Sequence, residues 1–265
     1  MLRVYDDLQK LYADHDVHTG QDYNTLMAEA LGPGLAYATP AMFGVTATVL
    51  SSRRMIAYNL VQNSIDEAKG AARIQVIADR YAADTPLERK MKRHVGEELK
   101  HSRQFKDLVT TTGYGTVDEA VDQDAADEVL DFDDELKAFI CRVHSIEIRS
   151  WSVLRMYQQV LGENEFPQLT EAALPVLDDI MQDEMFHVRY TGQQIDEWLR
   201  EDPSLATTLL ECMSHTNRET WQDIAAMTSW LAQHFPRLLA DESGDVALPD
   251  TRFLVGDLNP PATLT

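Results

Sequence analysis

Two short segments constrain this chain more than any other part of it. GEELKHS (96–102) and DEMFH (183–187) each set a glutamate one helical turn before a histidine, as Glu98/His101 and Glu184/His187. Around the first, Met91, Val95, Phe105 and Leu108 recur at the 3.6-residue spacing of a core-facing stripe. Around the second, Leu177, Ile180, Met181 and Val188 do the same. A carboxylate and an imidazole on an apolar face are costly to bury unless something neutralises them. In an acidic chain with 8 histidines one such match is commonplace. Two, each on an apolar stripe, call for an explanation.

The remaining pattern is helical throughout, with no strong strand signal. Short amphipathic pieces at about 3–13 and 23–31 lead into a Gly/Pro segment, 32–44. Four long helices follow. The first spans about 48–83. The second starts at Thr85-Pro86-Leu87-Glu88, a cap with proline at the first helical position and a glutamate to close a capping box, and it stops near Gly113. The third starts in the acidic run 131–135 and ends near Gly162; the fourth covers about 170–201, with Pro175 in its early turns. Asp202-Pro203-Ser204 caps a fifth helix over 204–235 that ends before Pro236, and 237–265 reads as a tail. Tight links within the pairs and roughly twenty residues at 113–132 between them predict two antiparallel hairpins joined by one long crossover. The expectation is a single all-α domain over 1–265, with a four-helix core at 48–201, an N-terminal extension at 1–47 and a candidate lid at 32–47.

Each Glu-x-x-His lies on the second helix of its hairpin, and each first helix offers a glutamate on an apolar face. Glu67 shares its face with Leu60, Ala71, Ile74 and Ala78; the neighbouring Asp66 falls with Asn59, Gln62 and Arg73. Glu147 lies with Ile140, Val143, Trp151 and Leu154. Four carboxylates at one level of a core need neutralisation, and two divalent cations would balance them. Oxygen and imidazole donors without thiolate favour iron or manganese. The 2 cysteines form no C-x-x-C, so rubredoxin-type iron, structural zinc and thioredoxin chemistry lack support.

On these residues the chain resembles the ferritin-like di-iron carboxylate superfamily, and its oxygenase-type members in particular, over roughly 48–200. The resemblance implies a ferritin-like bundle whose metal ligands are Glu67, Glu98, His101, Glu147, Glu184 and His187. It implies two iron ions, with a manganese–iron pair as the alternative, and no catalytic residues beyond the ligands. It also pairs Asp183 with His101, and Glu97 with His187, as carboxylates that hydrogen-bond the opposite hairpin's imidazole. Two more inward histidines, His94 and His144, are candidate extra ligands or core histidines. His94 completes H-x-x-x-E-x-x-H, which resembles a pattern in arylamine N-oxygenases of this superfamily, although there it lies on the last core helix. Tyr58, Trp151 and Tyr190 are pocket candidates or plain core. His15, His18, His215 and His234 read as surface or packing residues.

The implied activity is O2-dependent oxidation of a small organic substrate, by hydroxylation or N-oxygenation in a biosynthetic role. The alternatives are a ferroxidase, storage or peroxidase protein, an aldehyde or fatty-acyl oxidase, a tRNA hydroxylase, and a metal-free helical module. The material beyond the four helices favours an oxygenase over a ferritin. The net charge of −21 disfavours nucleic acid; the basic cluster Arg89–His94 reads as a solvated helix face. No flavin or nicotinamide fingerprint is present, so electrons must come from a ferredoxin or reductase. With no signal layout and no transmembrane run, the expected location is cytoplasmic, without membrane partners; a homodimer is compatible with the pattern.

Overall fold

The computed structural model describes residues 3–113, 135–163 and 166–240. The crossover expected over 113–132 (apart from Gly113), most of the acidic run at 131–135 and the tail from 241 onward lie outside them. The described residues are all-helical, with no strand. In chain order the α-helices are α1 (Val4–Asp14), α2 (Gln21–Ala30), α3 (Pro40–Val49), α4 (Arg53–Tyr81), α5 (Pro86–Val109), α6 (Leu136–Gly162), α7 (Pro167–Glu201) and α8 (Leu205–Ala240). Short 3₁₀ turns occupy Ala36–Ala38 and Thr110–Thr112.

The α4/α5 hairpin is closed by local chemistry at residues 82–88. Asp84 takes a left-handed φ of 63°. Thr85 Oγ1 accepts from the Glu88 amide at 3.2 Å, and the Glu88 carboxylate accepts from the Asp84 amide at 2.8 Å. The glutamate thus reaches one residue before the cap instead of the cap itself, and Pro86 occupies the first helical position. α6 packs along α7 as the second hairpin, and α5 faces α7 across the middle. α8 lies along α6, while α4 and α6 meet only sparsely.

Three expectations need correction. The Gly/Pro segment 32–44 is not a gap that precedes the helices: its end forms the first turn of α3, started by Thr39, whose Oγ1 accepts from the Met42 amide, with Pro40 at the first helical position. The first long helix does not begin at 48. α3 ends at Val49 and α4 begins at Arg53, with Leu50, Ser51 and Ser52 in the break. The last helix does not stop before Pro236 but continues to Ala240; proline removes one backbone donor, and a helix this long absorbs that loss near its end.

α1 and α2 are pinned to α7 by a close approach. Tyr12 and Tyr23 are buried, and their hydroxyls are 2.7 Å apart. They sit against Gly192 of α7: a Cβ there would overlap the Tyr12 hydroxyl and stand 2.8 Å from that of Tyr23. Gly192→Ala should therefore destabilise the protein by about 1–3 kcal/mol, because two bonded hydroxyls must move. Urea denaturation measures this. A midpoint equal to wild type would show that the tyrosines are not held there.

Candidate metal centre

Seven helical positions bring the predicted donors to one level of the core. Glu67 comes from α4; His94, Glu98 and His101 from α5; Glu147 from α6; Glu184 and His187 from α7. They form two groups. His94, Glu98, Glu147 and His187 each offer a ligand atom, all within 4.8 Å of one another; so do Glu67, Glu98, His101 and Glu184. Glu98 belongs to both. Glu67 is the least covered of them; the others are buried.

The imidazoles are held from behind. His101 Nε2 lies 3.1 Å from Asp183 Oδ2, and His187 Nε2 lies 3.0 Å from Glu97 Oε2. A carboxylate only accepts, so each Nε2 donates and each Nδ1 is turned into the cluster. Those two Nδ1 atoms, with Glu184 Oε2, are buried and make no hydrogen bond among the described residues. Lys100 pairs with Asp183, and Arg93 Nε donates to Glu97 at 2.7 Å. Burial would raise the Asp183 carboxyl, but Lys100 and His101 overcome it and hold it below its usual range. It remains an ionised acceptor for His101.

His94 presents the opposite nitrogen. Its Nε2 is 2.8 Å from Glu98 Oε1 and 3.4 Å from Glu147 Oε1, while its Nδ1 bonds the buried Tyr190 hydroxyl at 2.8 Å. Its ring stacks on His187 with centroids 3.5 Å apart. His144, by contrast, lies in neither group. Its Nε2 bonds Tyr23 at 2.7 Å and its Nδ1 bonds Thr191 Oγ1 at 2.8 Å, so both nitrogens are already used. Thr191 donates onward to the His187 carbonyl at 2.7 Å. Burial pushes the His144 imidazole down to about 3, which keeps it neutral in this chain of hydrogen bonds.

The charges divide unevenly. Burial, then the Glu98 charge, raises Glu67 well above the usual carboxylate range; burial, then the Glu147 charge, does the same to Glu184. Burial would raise Glu98 too, but the adjoining Glu67 carboxyl and His94 imidazole outweigh it and hold Glu98 at about 2. His94 and then His187 overcome burial at Glu147 and hold it well below the usual range. Burial disfavours charge on His187, yet Glu147, Glu184 and Glu97 raise it; burial leaves His101 lowered. The shifts thus run in opposite directions within the cluster: Glu67 and Glu184 favour the protonated form, Glu98 and Glu147 the ionised one.

Asp66, the neighbour of Glu67, joins neither group. Trp151 is buried core, with the Arg155 guanidinium 5.3 Å from its ring centroid. Tyr190 makes a specific bond to His94 that was not expected from the sequence, although its place one turn after His187 puts it on the same face. The tyrosine and threonine partners of His144 could not be anticipated, because Tyr23 arrives from a distant helix.

No family model, curated protein or solved structure matches the chain. The residues themselves therefore carry the assignment. Buried His/Glu groups able to hold a metal ion are present, and no described helix is long and apolar enough to cross a membrane.

The backing carboxylates give a direct test. Asp183→Asn keeps the shape but removes the charge behind His101. Metal affinity should fall about 10–100-fold, read by competition with a chromophoric chelator. Unchanged affinity would show that His101 needs no such support.

Proposed function

We propose that the chain is a ferritin-like dimetal carboxylate protein that holds two iron ions and uses O2 to oxidise a small organic substrate. One observation carries this reading: the Nδ1 atoms of His101 and His187 and Glu184 Oε2 are buried without hydrogen bonds amid four carboxylates. Such a concentration of inward donors is costly unless cations occupy it. Glu67, Glu98, His101 and Glu184 would hold one ion, and Glu147, His94 and His187, with Glu98 shared, the other. When bound, the ferrous pair supplies the electrons that reduce O2.

The chain's own residues supply orientation, dryness and access. Asp183 and Glu97 fix which imidazole nitrogen faces inward. Tyr190 does the same for His94. Ile140, Ile148, Ile180 and Val188 exclude water from the α6/α7 side. Access is easiest along α4, where residues 63–70 are all of intermediate exposure, on inward and outward positions alike. A helix packed on its inner face would show buried positions there every third or fourth residue. Glu67 sits in this stretch, so a small molecule would approach from the α4 side.

Oxygen consumption by the ferrous-loaded protein separates this reading from iron handling. An oxidase of organic substrates takes up O2 in proportion to added substrate and reductant, with no growing iron core. Continued uptake of iron far beyond two ions per chain, with O2 consumed in proportion to iron, would overturn the oxygenase reading in favour of storage.

A further inference from the structure

The outward face of α5 runs against the charge of the rest of the molecule. Its exposed positions are Pro86, Arg89, Lys92, Arg93, Gly96, Leu99, Arg103 and Asp107. Four are cations and one, Asp107 in the last turn, is an acid, in a chain of net charge −21. Arg89, Gly96 and Arg103 follow each other two helical turns apart, so they form the crest of one stripe. Leu99, 42% exposed, stands beside it. Lys92 pairs with Glu88 and Asp79, and Lys100 with Asp179 and Asp183. Among the described residues, Arg89 and Arg103 have no carboxylate within 4 Å. Among the described residues, then, the crest is a basic ridge with an apolar residue on its flank, which is the composition of a docking surface for an acidic partner.

Single side chains link this ridge to the candidate metal centre. Arg93 bonds Glu97, and Glu97 bonds the His187 imidazole at 3.0 Å. Lys100 pairs with Asp183, and Asp183 bonds the His101 imidazole at 3.1 Å. At both places one carboxylate separates a surface cation from an imidazole of the cluster. Beside them the Arg93 guanidinium lies 3.7 Å from the centroid of Phe186, whose ring is 6.0 Å from that of His187. Phe186 is only partly covered, so an aromatic side chain bridges surface and centre at the same spot.

We infer that the outward face of α5, centred on Arg89, Arg93, Leu99 and Arg103, docks a small acidic one-electron carrier protein that reduces the metal centre through Glu97, Asp183 and Phe186. This rests on the dimetal reading above, which requires electrons that the chain has no flavin, nicotinamide or thiolate site to supply. The balance is simple: two reduced carriers dock in turn, each is oxidised by one electron, and the metal pair takes up two. No atom is transferred. A phosphate backbone would also favour cations, but the net charge of the molecule opposes a long polyanion more than a small protein.

The test compares the wild-type full chain with the Arg89→Glu/Arg103→Glu variant, using an acidic plant-type [2Fe–2S] ferredoxin as the probe. Calorimetry on metal-free protein reads the surface independently of the centre. Wild type should bind the oxidised ferredoxin, the variant at least about 10-fold more weakly, and added salt should weaken wild type toward the variant. Stopped-flow reduction of the iron-loaded protein by reduced ferredoxin should slow by a similar factor, while dithionite reduces both proteins at the same rate. No binding of ferredoxin, equal binding by the two proteins, or binding of a transfer RNA in its place overturns the inference. Ferredoxin binding by a chain that takes up no metal would overturn the dimetal reading and the route of electrons, and leave the acidic-partner surface standing.

Discussion

Glu98→Ala should reduce metal content from about two ions per chain to a small fraction of one. Glu98 is the one residue common to both donor groups, so its removal opens both at once. Replacing a carboxylate that merely supports a ligand costs about 10–100-fold in affinity, and losing a shared ligand should exceed that. Metal analysis after chelation, reloading and desalting gives the answer. The metal-free variant also loses the carboxylate that faces His94 at 2.8 Å, so its folding must be read separately, by far-ultraviolet circular dichroism. Glu98→Gln keeps the shape and provides the comparison if the alanine variant folds poorly. His144→Gln is the contrasting change: it breaks the bonds to Tyr23 and Thr191 and costs stability, yet should leave metal content at the wild-type value. Full metal loading of Glu98→Ala would refute the shared-ligand arrangement.

Metal affinity should rise with pH, and loading should release protons. Glu67 and Glu184 are raised, mainly by burial, so in the metal-free protein they hold their protons to higher pH than ordinary carboxyls do. His94 and His187 are raised as well, against burial, His94 by Tyr190 and then Glu147, and His187 by Glu147, Glu184 and Glu97. Cations must displace those protons, and lower proton activity favours the exchange. Calorimetry of metal binding in two buffers of different ionisation enthalpy should count about two or more protons released per loaded chain. The metal-free protein should behave in the opposite way. A carboxyl raised on folding holds a proton that the unfolded chain gives up, so the stability from Glu67 and Glu184 is lost as pH climbs past the ordinary carboxylate range. Glu98 and Glu147 are depressed; their contribution is present above that range and disappears as pH falls toward the depressed values, about 2 for Glu98. The rise in melting temperature on adding metal should therefore be larger at pH 8 than at pH 6. A buffer-independent binding enthalpy would contradict this distribution of protons.

The grouping of the candidate donors was legible because they ride on the strongest periodic signals in the chain. Glu98, His101, Glu184 and His187 sit on stripes whose apolar members are buried, among them Met91, Phe105, Leu177 and Val188. A helix that must bury such a stripe has little freedom to rotate. Glu67 over Asp66 followed from the same rule. The status of His94 and His144 was not legible, although both lie on inward faces. What separates them is the partner opposite: Glu147 and Glu98 for one, Tyr23 and Thr191 for the other. Tyr23 arrives on a helix far away in sequence, and nothing local announces it. The break between α3 and α4 went unread for a different reason. Thr39-Pro40 carries the same start signal as Thr85-Pro86, but the glycines and prolines around it weaken the pattern. The half-exposed inner face of α4 is a property of helix spacing and leaves no mark in the order of residues.

Metal stoichiometry with Mössbauer spectroscopy of the iron-57-loaded protein tests the central claim most directly. About two iron ions per chain, magnetically coupled after oxidation by O2, is the result predicted from the two donor groups that share Glu98. A chain that binds no iron or manganese tightly, or a single uncoupled ion, would contradict it.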